Sequence, residues 1–138
     1  MAKVEKRAYI KEVGLAPRKV SVVAGLVRGR SVADALVILD HTPRRAALLV
    51  KKAVESAKAN LLDVASIDTK TIVIKSISVT AGSRLRRYKP ASRGRALPFA
   101  KKMSNILVVV EGEEKVNKAA PKPKTDKSEP NSKKVEGK

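Results

Sequence analysis

Residues 69–110 carry ten basic side chains and not one acidic one. Within that stretch, Ala81 to Asn105 follows neither a helical nor a strand apolar period. Two apolar runs of strand character, Thr71–Thr80 and Ile106–Val110, frame it. Its cations are Arg84, Arg86, Arg87, Lys89, Arg93, Arg95, Lys101 and Lys102. Such a segment cannot bury itself in its own protein, because unpaired charge is too costly to desolvate. A connection of this length in a small domain is usually functional or disordered. Gly94, Pro90 and Pro98 favour extended or turning backbone. The segment is therefore expected to be an arm that gains order from a partner of opposite charge.

The rest of the chain reads as a small body. Ala8–Val13 alternates weakly and is a short strand. Ala16-Pro17 starts a helix, Val20, Val23, Ala24 and Val27 follow at helical spacing, and Gly29 stops it. Ser31–Asp34 resembles a capping box for a short helix through Leu39. Thr42 is expected to cap a third helix with Pro43 at its first position. Ala46, Leu49, Val50, Ala53 and Ala57 form the apolar stripe of that helix, with Arg44, Arg45, Lys51, Lys52 and Lys58 largely off it. The alternation of Thr71–Thr80 changes phase near Lys75. Gly112–Lys138, rich in Lys, Pro, Ser and Glu, has too few apolar groups to offset its ordering entropy and is expected to be a disordered basic tail. The organisation is thus a domain over 1–111, with its arm at about 81–105, and a tail over 112–138.

The partner follows from charge. The chain carries a formal +18 over 138 residues, and nucleic acid is the commonest polyanion that relieves such self-repulsion. Guanidinium groups fork two donors onto phosphate oxygens and stack on exposed bases. If all eight arm cations met phosphates, binding would weaken with a log–log salt slope of roughly −6 to −7. Two Tyr and one Phe are the whole aromatic set, too few for a module that stacks several bases. Arg18 and Lys19 at the first helix, and Arg44 and Arg45 at the third, are further candidate RNA contacts.

Other classes find little support. No apolar stretch of about 18 residues spans a bilayer, Met1–Ile10 lacks a signal-peptide core, and the arm lacks the amphipathic stripe of a membrane-surface peptide. The absence of cysteine excludes disulfides and thiolate metal sites and fits a reducing cytosol. His41 is the only histidine, so neither a nucleophile–base pair nor a metal set is legible, and no catalytic residue, metal or cofactor is expected. Gly25 and Gly29 lack the spacing of a phosphate-binding loop. No membrane partner or small-molecule substrate is expected. The main alternative is a basic helix-turn-helix DNA-binding protein, against which stands the location of the densest charge on an arm rather than a recognition helix.

Several segments in order carry a family resemblance: Ala16-Pro-Arg-Lys-Val20, Leu26-Val-Arg-Gly29, Thr42-Pro-Arg-Arg-Ala-Ala47, Ser56-Ala57 with Ala59-Asn60, Pro90 through Arg93-Gly-Arg-Ala96, and Lys101-Lys102 leading to Ser104 and Ile106–Val110. From about Tyr9 to Val110 the chain resembles the large-subunit ribosomal protein twenty-two family. The resemblance implies an α+β fold, with three helices packed on a short antiparallel sheet and a long protruding β-hairpin. It implies a structural, non-enzymatic component of the cytoplasmic ribosome that binds large-subunit ribosomal RNA, contacts neighbouring large-subunit ribosomal proteins and aids subunit assembly. It places Tyr88, Lys89, Pro90, Ala91, Ser92, Arg93, Gly94 and Arg95 at a hairpin tip that faces nascent polypeptide in the exit tunnel, close to where macrolides bind. Three places depart from the family pattern. Asn105 stands where His is common, Ala81-Gly82-Ser83 replaces Glu-Gly-Pro at the base of the hairpin, and Leu61-Leu62 replaces a more polar helix end.

Overall fold

In the computed structural model, which describes residues 3–64 and 67–113, Pro17 opens α1 (Pro17–Val27) and Val20, Val23, Ala24 and Val27 are all buried. Gly29 follows with φ +74°, a left-handed turn that favours glycine. Ser31 caps α2 (Val32–His41): its side-chain oxygen accepts from the Asp34 amide at 3.1 Å, and its hydroxyl donates to the Asp34 carboxylate at 2.7 Å.

Thr42 does not cap the third helix. Its backbone is extended ahead of Pro43, its amide donates to the Leu39 carbonyl at 3.3 Å, and its hydroxyl donates to the Ile38 carbonyl at 2.7 Å. It therefore closes α2, as the residue before a proline tends to do. α3 (Arg45–Leu62) begins after Arg44, which offers no side-chain cap. Its buried stripe adds Ala47, Val54 and Leu61 to the expected set, while Leu49 is half-buried. The stripe is wide because α3 packs against both other helices and two strands.

The sheet is antiparallel with the order β1-β3-β2, from β1 (Lys3–Val13), β2 (Val73–Pro90) and β3 (Ala96–Glu113). On central β3, Ser104, Ile106, Val108 and Val110 are buried beneath the helices, while Asn105, Leu107 and Val109 are half-buried on the open face. The architecture is thus the expected α+β arrangement of three helices on one face of an antiparallel sheet. β1 starts at Lys3 rather than Ala8, because Lys3, Glu5 and Arg7 point to solvent and mask the strand pattern. Gly112 and Glu113, read from sequence as the start of the tail, pair with Val4 and Lys3. Residues 114–138 of the expected tail lie outside the described residues.

The phase change at Lys75 is a β-bulge, since pairing jumps from Ile74–Val110 to Ser76–Val109. Glu5 and Glu111 stand directly opposite each other, a like-charge arrangement that destabilises a ladder. The Lys75 ammonium donates to Glu5 and lies in the field of Glu111. Its pKa is raised chiefly by its hydrogen bond to Glu5. This acidic pair therefore has a counterion within the chain.

Candidate nucleic-acid interface

The acid-free segment is the outer half of a continuous hairpin. β2 and β3 remain paired from Arg84–Lys102 out to Pro90–Ala96. At the usual rise per residue, these seven pairs project roughly 23 Å beyond the bulge. No apolar period marks the segment because neither of its faces covers a core. A free two-stranded ribbon is only marginally stable in water, so a partner that binds the arm also steadies it.

Strand alternation distributes the cations over both faces. Arg84, Arg86 and Tyr88 share one face with Lys102, Ala100 and Pro98, and by parity along β3 this face continues the helix-covered side of the sheet. Leu85, Arg87 and Lys89 share the other with Lys101, Phe99 and Leu97. Lys89 Nζ lies 5.2 Å from the centre of the Phe99 ring. All of these side chains are exposed.

At the tip, the Ala91 amide donates to the Arg95 carbonyl at 2.8 Å and the Arg95 amide donates to Ser92 at 3.4 Å. Between them Arg93 (φ 58°) and Gly94 (φ 70°) both adopt left-handed backbone. For Arg93, exposed at the end of the arm, this conformation costs about 1–2 kcal/mol. Tyr88 is 71 % exposed beside the tip.

The base of the arm is braced by polar contacts. Gly82 and Ser83 bulge opposite Met103, and a Cβ at Gly82 would meet Asn105 Oδ1 and the Met103 carbonyl carbon at 3.3 Å. Asn105 Oδ1 accepts the Glu12 amide at 2.8 Å, and the Ser83 hydroxyl donates to the Glu12 carboxylate at 3.2 Å. Glu12 itself has φ 53° and sits where β1 loses register. Three strands are therefore tied together where the arm leaves the body. Asn105 supplies one of those ties.

Arg18 and Lys19 are exposed on the first turn of α1. They line a cleft of about 420 Å³ together with Arg84 and Lys102 from the arm, so two groups of predicted contacts converge. Arg44 and Arg45 are exposed at the start of α3, and neither lines that cleft. The sequence reading did not single out Arg7, Tyr9 and Lys11. They alternate outward on β1, with Lys11 Nζ 5.9 Å from the Tyr9 ring. Their strand periodicity was the available signal. Arg28 is engaged internally, donating to the Ile77 carbonyl at 3.0 Å. Among the described residues no cluster of His, Asp or Glu could hold a metal ion, and no helix is long and apolar enough to cross a membrane.

A family model described as ribosomal protein L22p/L17e matches residues 8–111. Proteins named large ribosomal subunit protein uL22 from Clostridium beijerinckii and Syntrophobacter fumaroxidans are each 40% identical to this chain over 106 residues, covering 77% of it and 96% of their own length. The matched span takes in the body and the whole arm, and on this evidence the chain belongs to the ribosomal protein L22p/L17e family.

Proposed function

We propose that this chain is a structural, non-enzymatic constituent of the large subunit of the cytoplasmic ribosome, where residues 1–111 bind large-subunit ribosomal RNA. The observation that carries the reading is the arm itself. Eight cations project from the body on both faces and at the tip, and among the described residues none of them pairs with a carboxylate. A ribbon charged on every side suits a channel walled by polyanion better than a flat docking surface.

In this reading Arg84, Arg86, Arg87, Lys89, Arg93, Arg95, Lys101 and Lys102 contact RNA along the arm. Arg18, Lys19, Arg44 and Arg45 dock the body. Tyr88 to Arg95 form the tip that faces nascent polypeptide in the exit tunnel, and neighbouring large-subunit proteins pack around the body. The arm's threading through RNA ties the protein to subunit assembly.

The test replaces Arg86, Arg87, Arg93 and Arg95 together with Gln. All four are exposed, and among the described residues their one side-chain hydrogen bond, Arg87 Nη1 to the Arg86 carbonyl, lies within the arm. The body is expected to stay folded while incorporation into large subunits falls and the RNA salt slope loses about 3. Unchanged incorporation would refute the role of the arm. A preference for duplex DNA over large-subunit RNA would favour the helix-turn-helix alternative instead.

A further inference from the structure

We propose that the cleft between the start of α1 and the root of the arm grips one stretch of RNA backbone, with a phosphate shared by cations from both walls. The inference rests on the RNA-binding reading above and locates a specific site within it. One wall carries Arg18 and Lys19, the other carries Arg84 and Lys102, and the floor is the alanine and glycine of Ala81-Gly82 beside Met103. No carboxylate lines the cleft, and among the described residues none of the four cations makes an ion pair.

Arg84 and Lys102 are direct cross-strand partners on one face of the ribbon. Two like charges so placed destabilise the pairing unless something offsets them. Where the same sheet opposes Glu5 to Glu111, the chain supplies Lys75. Where it opposes Arg84 to Lys102, it instead brings two further cations across the cleft. An arrangement left without its counterion inside the protein calls for an anion from outside. A volume of about 420 Å³ falls within the roughly 300–1,000 Å³ that holds a small organic group. A single backbone segment with its sugars fits there, and a duplex does not. The cleft also lies where the body ends and the arm begins, so a strand held there fixes the angle between them.

Coupling between the two walls is the test, measured with the full chain and deproteinised large-subunit RNA at several salt concentrations. Lys19→Gln and Lys102→Gln should each weaken binding. Together they should weaken it by at least about threefold less than the product of the single effects, because both act on one phosphate. Lys19→Gln combined with Arg95→Gln at the tip should simply multiply, and Lys52→Gln with Lys70→Gln, on the body away from the cleft, serves as a charge-matched control. In the free chain at low salt, Lys102→Gln should melt no lower than the unmodified protein, since it relieves the opposition to Arg84. A lower melting temperature would overturn the like-charge premise.

Multiplicative effects of Lys19→Gln and Lys102→Gln with otherwise normal RNA binding would overturn the shared site and leave the proposed function standing. Absence of binding by the unmodified chain would overturn both. Inorganic phosphate separates the possible sources of the anion. At millimolar concentration it should not saturate the free chain, and a saturable micromolar site would make the cleft a small-anion receptor instead.

Discussion

Replacing Asn105 with Ala removes the side-chain oxygen that accepts the Glu12 amide at 2.8 Å. A hydrogen bond of this kind contributes about 0.5–1.5 kcal/mol net. Here it also holds a strained neighbour, since Glu12 is a non-glycine residue at φ 53°, a conformation that costs about 1–2 kcal/mol. The site is exposed, so water recovers part of the loss, and the expected destabilisation is about 1 kcal/mol. For a domain of this size that lowers the thermal midpoint by roughly 4–8 °C. Thermal unfolding followed by circular dichroism measures the shift, and amide exchange at Glu12 reports whether the bond itself has opened. An unchanged midpoint with unchanged Glu12 exchange would refute the idea that Asn105 braces the base of the arm.

Further outcomes follow from single sites. Gly112→Ala places a Cβ 2.8 Å from Ile67 Cγ2 and 3.1 Å from Leu61 Cδ2, and this overpacking should cost about 1–3 kcal/mol in denaturant unfolding. Ser104 buries its hydroxyl without a partner among the described residues, so Ser104→Ala should leave stability unchanged or raise it by up to about 1 kcal/mol. Lys75 has a raised pKa, chiefly from its hydrogen bond to Glu5. Its contribution should be present in full below the ordinary lysine value of 10.5 and lost as pH rises through the higher folded value. The gap in melting temperature between wild type and Lys75→Met should close over that range.

Much of the body was legible because its elements obey local rules. The Val20-Val23-Ala24-Val27 spacing, the Ser31–Asp34 cap and the phase change at Lys75 each have one physical cause close in sequence. Thr42 was misread because a residue ahead of Pro43 can end one helix as readily as start the next, and only the positions of the Ile38 and Leu39 carbonyls decide which. The arm gave a charge signal without a strand signal, since a ribbon with no core face needs no apolar alternation. The opposition of Arg84 to Lys102 was beyond reach from sequence. It depends on the one-residue slip at Gly82-Ser83, and any other register would pair Arg84 differently. The approach of Arg18 and Lys19 to that pair depends in turn on how α1 packs against β2 and β3.

Sucrose-gradient sedimentation of the tagged chain from cells, first at low salt and then at high salt, tests whether this protein is held in the large subunit by its arm. Co-migration with the large subunit should survive high salt, because an arm threaded through RNA is retained by its geometry as well as by screened charge. A chain that runs as a free monomer or migrates with DNA, or that leaves the subunit as salt rises, would contradict it.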